Sequence, residues 1–220
     1  MDRDRRRARE LARSHLAAGD ALGWFEALYA QAGDDAAIIP WADLTPNPNL
    51  TAWLDANSAQ VPGRVLEIGC GLGDDAEELA RRGFRVTACD ISATAIAWCR
   101  RRHPASAVDY VTADLFQPPA EWNGAFPFVV EAYTLQVLPP KLRPQAVRRM
   151  AGLLAPGGAL LVIARGRDAA DPEGQMPWPL TREEFAAFAA CGLAEASFED
   201  YLDAEAPPAR RFRAVYRRPA

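Results

Sequence analysis

The chain has 220 residues and a formal net charge of −4, with half of its residues apolar and a quarter charged. This is the balance of a soluble globular protein with a full core, and it gives no electrostatic reason to expect a nucleic-acid partner. The opening MDRDRRRARELARSH has no apolar run behind its charges, no segment approaches the roughly 20 apolar residues that a bilayer requires, and Cys70, Cys89, Cys99 and Cys191 form no Cys-x-x-Cys pair, so no secretory leader, membrane partner, metal site or disulfide framework is expected and a reducing cytoplasm is the simple setting.

In chain order, the basic stretch Arg3 to Arg13 reads as a solvated helical face interrupted by Asp4 and Glu10. LGWFEALYAQAG follows as a helical pattern, then the tryptophan- and proline-bearing IIPWADLTPNPNLTAWLDANS. Residues 1–60 are expected to pack as a helical cap on a core of residues 61–220. From Arg64 the chain alternates short apolar runs with amphipathic ones. RVLEIGC reads as a strand, DDAEELARRG as a helix closing at Gly83, FRVTACD as a second strand, and SATAIAWCRRRHP as a helix capped by Ser92. AVDYVTAD and PFVVEAY give two more strands. KLRPQAVRRMAGLLAPGG is a helix that Pro156-Gly157-Gly158 should stop, before ALLVIAR as the fifth strand. Thr181 and Glu184 have capping-box spacing at the head of TREEFAAFAACG, and AEASFED and RRFRAVYRR supply two last strands. The alternation predicts an α/β, doubly wound, mainly parallel seven-stranded sheet; the short final connection predicts an antiparallel C-terminal hairpin at one edge.

The most specific stretch is VLEIGCGLGDD, Val65 to Asp75. Ligands of open parallel sheets bind beyond the strands' carboxyl ends, and glycines there let backbone approach a ligand closely. Started at Gly69, the G-x-G-x-x-G dinucleotide fingerprint meets Asp74 where its third glycine belongs; started at Gly71 it meets Ala76, which fits only the relaxed version, so spacing alone does not exclude a nicotinamide enzyme and the charge decides. Glu67 before the loop, with Asp74 and Asp75 at the head of the next helix, would compete with a pyrophosphate for the positive helix end. A ligand carrying an ammonium and a sulfonium would be attracted.

EIGCGLGDD resembles the E/D-x-G-x-G-x-G loop of class I S-adenosylmethionine-dependent methyltransferases, and the similarity extends over Arg64 to Arg165 and the closing hairpin. The resemblance implies a Rossmann-like methyltransferase fold and S-adenosylmethionine as cofactor, with S-adenosylhomocysteine as product. It places Glu67, Gly69, Cys70, Gly71 and Gly73 at the cofactor's methionine part and ribose. Asp90, with Ile91, falls at the ribose hydroxyls, and Asp114-Leu115 at the adenine. Ionised carboxylates accept strongly from diols and exocyclic amines.

The segment after the fourth strand, EAYTLQVLPP, would face the methyl group and the acceptor. It lacks the N/D-P-P-Y/F signature of enzymes that methylate bases in DNA. Glu131, Tyr133 and Gln136 are the candidates here for cofactor contact and substrate orientation, Tyr133 being the candidate catalytic residue; the alternative for Tyr133 is packing beneath a helix. Neither His103, expected to be solvated after its helix, nor His15 in the N-terminal arm stands out as a base. Catalysis by positioning of a thiol, an amine or an acidic hydroxyl is the expectation. WFEALYAQAG and IIPWADLTPNPNLTAWL further resemble the arm of the thiopurine methyltransferase-like small-molecule branch, although that branch has P-L-C-G-K where this chain has G-C-G-L-G. This would make Trp24, Tyr29 and Trp41 walls of the acceptor pocket, with Trp41 and Asp43 near the methionine end; the alternative is that these aromatics staple cap to sheet.

In ARGRDAADPEGQMPWPLT, Arg165, Arg167 and Trp178 would meet an anionic or aromatic acceptor, unless the arginines pair with Asp168 or Asp171. Arg211 and Arg213 share one strand face and are not taken as site residues. The expected protein is a cytoplasmic small-molecule methyltransferase, monomeric or weakly dimeric. An NAD(P)-dependent oxidoreductase and a non-catalytic cofactor-binding protein remain the alternatives.

Overall fold

The computed structural model describes residues 2–57 and 63–220. The expected cap–core boundary at residues 60–61 lies outside the described residues. Helices α1 (Asp2–Ala17), α2 (Gly23–Ala32) and α3 (Pro48–Asn57) precede the sheet. Strands β1 (Arg64–Ile68), β2 (Arg85–Asp90) and β3 (Asp109–Thr112) then alternate with α4 (Asp74–Arg81) and α5 (Ala93–Arg102). Strand β4 (Phe126–Ala132) is followed by α6 (Arg143–Leu153), β5 (Leu154–Arg165), α7 (Arg182–Ala190), β6 (Ala194–Leu202) and β7 (Arg210–Arg217).

The seven strands form one sheet in the order β3-β2-β1-β4-β5-β7-β6. The first five pair in parallel, while β7 runs antiparallel to both β5 and β6. The doubly wound sheet and edge hairpin match the expectation, with β7 inserted between β5 and the edge strand. Strand order reverses between β1 and β4, so the loops leaving these strands diverge and open a crevice at their carboxyl ends.

Alternation along the strands builds two cores. Leu160, Val162 and Ala164 face α6 and α7, packing with Met150, Phe185 and Phe188. Leu161 and Ile163 face the other way, with Val65, Phe128 and Val130, against Leu79 of α4, Ile96 of α5 and Leu50, Trp53 and Leu54 of α3. Trp53 stacks on Phe128 with ring centroids 5.7 Å apart. Helix α3 thus belongs to the layer that covers the sheet, and burial of Trp53 and Leu54 contributes about 1.5–3 kcal/mol each. A third core joins α1 and α2 to the glycine loop and α5 through Trp24, Leu28, Tyr29, Leu72, Ala95 and Trp98.

Two expected helix starts are built as read. Ser92 Oγ accepts from the Ala95 amide, and Thr181 and Glu184 form the reciprocal capping box. The end of α6 differs: the helix stops at Leu153, and Pro156-Gly157-Gly158 lie inside β5 at a register shift opposite Phe126–Phe128. Leu154 is fully buried and already pairs with Phe126, so burial draws the chain into the sheet before the proline can end the helix.

Candidate active site

The glycine loop is tied to β2 by the Gly69 and Cys70 amides, both donating to Cys89 O at 2.8 and 2.9 Å. Gly69, Gly71 and Gly73 have φ of 71°, 55° and 88°, a region that side chains disfavour. A Cβ on Gly69 would lie 2.3 Å from Thr134 Oγ1, and one on Gly73 2.5 Å from Tyr110 Oη. A Cβ on Gly71 would lie 3.3 Å from Tyr29 Oη, beneath the cap. The chain's own groups therefore require these glycines before any ligand does.

Carboxylates surround the loop. Glu67 is buried; burial first, then Asp75, holds its carboxyl well above the usual range, and its Oε2 has no hydrogen-bond partner among the described residues. Asp90 accepts from the Gly71 amide at 3.1 Å and the Ser92 amide at 2.9 Å, and burial pushes it up to about 6. Asp75 accepts from the Asn47 amide at 2.6 Å and is likewise pushed to about 6 by burial. Asp74 is paired with Arg102 at 2.8 Å, which neutralises one of the two charges at the head of α4. The Ala113 amide donates to Asp90 O at 3.0 Å, bringing the end of β3 beside that of β2. Asp114, half-buried, closes its own turn by accepting from the Phe116 amide at 2.8 Å, and half-buried Leu115 packs against the α6–α7 core. Ile91 is half-buried between Asp90 and Ser92.

At the end of β4, Glu131 points inward. It is fully buried and accepts from the Thr134 and Leu135 amides at 2.5 and 2.9 Å, holding the turn that follows; burial pushes it up to about 7. Tyr133 has φ +69°, rare for a residue with a side chain. It packs beneath α3, where its hydroxyl accepts from Asn49 Nδ2 at 3.0 Å, and burial raises it to about 12. Asn49 Oδ1 in turn accepts from the Tyr201 hydroxyl at 2.7 Å. Gln136, Arg165 and Trp178 come together: Gln136 Oε1 accepts from the Arg165 amide and Gln136 O from the Trp178 amide, each at 2.7 Å.

Arg211, passed over in the sequence, belongs to this neighbourhood. Its guanidinium lies 4.8 Å from the Tyr133 ring centre, donates to Asp203 Oδ2 at 2.5 Å and pairs with Glu205. Glu205 also lies 3.7 Å from Arg165 Nη2. The available signal was an arginine alternating with apolar residues in RRFRAVYRR just after a turn carrying two acids, an unusual composition for a buried strand face. Among the described residues Arg167 pairs with no carboxylate; it donates to the carbonyls of Asp168, Asp171 and Pro179 and braces its own loop.

The cap aromatics fall into two groups. Trp24 is buried at 1% exposure, stacked on Phe25 at 3.9 Å and edge-on to Trp41 at 6.0 Å, which is the stapling arrangement. Trp41 Nε1 donates to the Tyr29 hydroxyl at 2.9 Å, and both groups overlie Gly71. Glu26 docks the cap on α5 by accepting from Ser92 Oγ at 2.6 Å and from the Thr94 amide and hydroxyl. Asp43 is exposed. His15 pairs with Asp20 at 2.9 Å on the surface, while His103 Nε2 is buried with no partner among the described residues, against the expectation that this ring is solvated.

Residues 65–158 match the family described as Methyltransferase domain. The chain is 33% identical over 123 residues to the ubiquinone biosynthesis O-methyltransferase of Xanthomonas campestris pv. campestris (strain B100), covering 55% of this chain and 51% of that protein. It thus spans about half the length of the curated relative it matches. Among solved structures, it resembles the 1,6-didemethyltoxoflavin-N1-methyltransferase of Burkholderia thailandensis (TM-score 0.70, 18% identity, 89% of this chain and 88% of that one). The N-methyltransferase NodS of Bradyrhizobium japonicum WM9 is similar at TM-score 0.69 and 24% identity, over 88% and 97% of the two chains; both were solved with S-adenosylhomocysteine. The match over 65–158 shows a methyltransferase domain within this chain, and the strand order with the glycine loop closing β1 is that of the Rossmann-like methyltransferase fold.

Proposed function

We propose that this chain transfers the methyl group of S-adenosylmethionine to a small-molecule thiol, amine or hydroxyl by in-line displacement, leaving S-adenosylhomocysteine. The observation that carries this reading is the row of carboxylates at successive strand ends, Glu67, Asp90 and Asp114, around a loop of three left-handed glycines. The donor set fits this cofactor: Glu67 Oε2 is a buried acceptor without a partner among the described residues, suited to an ammonium, and the acids at β2 and β3 suit hydroxyl and amine donors. It fits a pyrophosphate poorly, since Asp74 and Asp75 occupy the head of α4. When bound, the sulfonium supplies an already activated methyl carbon.

The chain's own part is placement. Gly69, Cys70, Gly71 and Gly73 shape the cradle, Asp90 with Ile91 takes the ribose, Asp114-Leu115 takes the adenine, and Tyr29 with Trp41 closes over the methionine end and the acceptor. Trp24 supports that wall from within the cap. Glu131 holds the turn that carries Thr134 against Gly69. Tyr133 remains protonated at neutral pH, its hydroxyl held by Asn49, so it orients an acceptor rather than deprotonating it. Arg165 and Trp178 complete the acceptor wall. Among the described residues no helix is long and apolar enough to cross a membrane, and the net charge is −4, which supports a small-molecule rather than a membrane or nucleic-acid partner. Cytoplasmic location and a monomer or weak homodimer complete the proposal.

A panel of aromatic thiols, amines and phenols, read by acceptor-dependent release of S-adenosylhomocysteine, tests this reading. Turnover with one class supports it and names the nucleophile. Binding of the cofactor with no release from any class would favour a non-catalytic binding protein.

A further inference from the structure

The turn between β6 and β7 hangs over the carboxyl end of β5, because Arg165 pairs with Arg211 across that ladder. It carries two acids of different standing. Asp203 is buried, with its side chain 6% exposed; it bonds Arg211 and also accepts from the Glu205 and Ala209 amides at 3.1 and 2.8 Å. Glu205 is 50% exposed and reaches inward only through its carboxylate, between the guanidinium groups of Arg211 and Arg165. For Arg165, Glu205 at 3.7 Å is the sole side-chain ion pair among the described residues, beyond hydrogen-bond distance. Among the described residues its guanidinium makes no hydrogen bond, although the side chain is only 29% exposed. Arg211 is 2% exposed and stacks on Tyr133, whose amide bonds Ile163 O at 2.9 Å, two residues before Arg165.

Charge counting gives this corner a direction. Arg165 and Arg211 contribute two positive charges, and Arg5 of α1 lies close enough to depress Arg165 further, after burial and Arg211. Asp203 cancels one charge permanently. If Glu205 swings out, a positive, half-desolvated pocket is left beside Tyr133. The loose Arg165–Glu205 pair is partly exposed and worth about 0–1 kcal/mol, and buried Arg211 keeps Asp203 when Glu205 leaves, so an incoming anion can take the place of Glu205 without stranding a buried charge. Paired guanidinium groups match the planar carboxylate geometry, and a carboxylate already stands in the place.

The geometry points to Arg165 and Arg211 as an anion subsite beside Tyr133, closed by Glu205, and assigns the acceptor to small molecules that carry a carboxylate. This rests on the methyltransferase reading and deepens it: the anionic group of the acceptor displaces Glu205, and its nucleophile is thereby aimed across Tyr133 at the cofactor side of the crevice.

Calorimetric titration of the protein saturated with S-adenosylhomocysteine tests it, with benzoate, its neutral isostere benzamide and phenyl phosphate as probes. Benzoate is expected to bind about tenfold or more tightly than benzamide. Arg165→Gln should erase that contrast, and Glu205→Gln, which removes the competing anion, should tighten benzoate severalfold. Equal binding of benzoate and benzamide, a Glu205→Gln variant that leaves benzoate unchanged or weaker, or no benzoate binding in the millimolar range overturns the proposal. Phenyl phosphate binding more tightly than benzoate overturns the assignment to a carboxylate. Failure of the wild type to bind S-adenosylhomocysteine strikes the methyltransferase reading alone, because the benzoate–benzamide contrast is also measured on the free protein.

Discussion

The carboxyl ends of β1, β2 and β3 present Glu67, Asp90 and Asp114 around a glycine loop, whereas those of β4 and β5, with the start of β7, present Tyr133, Arg165 and Arg211. The first half is acidic and held by short backbone bonds: Gly69 and Cys70 to Cys89, Gly71 and Ser92 to Asp90. The second is built around a buried guanidinium and held by side chains from far apart in the chain, with Asn49 bonding Tyr133 across 84 residues and Tyr201 across 152. One sheet edge thus has a half suited to a cationic cofactor and a half suited to a differently charged partner. The division follows the reversal of strand order between β1 and β4.

The largest expected effect lies in the second half. Arg211→Met strands buried Asp203 without its partner and should destabilise by about 3–5 kcal/mol in urea unfolding, while Arg165→Met, with one loose exposed pair, should cost under about 1 kcal/mol. Equal costs would erase the distinction drawn between the two arginines. In the first half, Gly69→Ala combines φ +71° with a Cβ 2.3 Å from Thr134 Oγ1, a hydroxyl that itself donates to Ile68 O at 3.1 Å. It should cost about 3 kcal/mol and abolish cofactor binding; an unchanged melting temperature would show that the loop relaxes freely.

Glu131 sharpens the comparison through pH. Its carboxyl is raised from an ordinary 4.5 to about 7 by burial, so between those values the folded state binds more protons than the unfolded one. Stability from this group therefore falls as pH rises from 4.5 through 7, and Asp75 and Asp90, each at about 6, add the same sign over a narrower window. Glu131→Gln keeps an acceptor for the Thr134 and Leu135 amides and removes the buried charge. It should raise stability at pH 8 by on the order of 2 kcal/mol relative to pH 4.5, checked by unfolding at the two pH values. A wild-type-like slope would assign the titration elsewhere. The smallest effect is Tyr133→Phe, which should cost about 1 kcal/mol or less, since Asn49 Nδ2 keeps Asn47 Oδ1 as a partner at 3.2 Å.

The first half was legible in the sequence because its signals are local. Three alternate glycines and acids at strand ends mark their own positions, and strand–helix alternation orders the sheet. Cap residues Ser92 and Thr181 were readable for the same reason. The second half was not, because no window contains Asn49, Tyr133, Arg165 and Arg211 together; only the antiparallel insertion of β7 beside β5 joins the last two. The end of α6 was misplaced because a proline–glycine stop is a local rule, and pairing of Leu154 with Phe126 overrides it. His103 was read as solvated because a helix end before proline is usually exposed, yet its Nε2 is buried.

The claim that the acidic half holds a sulfonium cofactor is tested most directly by calorimetric titration with S-adenosylmethionine, S-adenosylhomocysteine and NADH, on the wild type and on Asp90→Ala. The account predicts roughly micromolar binding of the first two, lost or much weakened in the variant, and none of NADH. Preference for NADH, or equal binding by the variant, would contradict it.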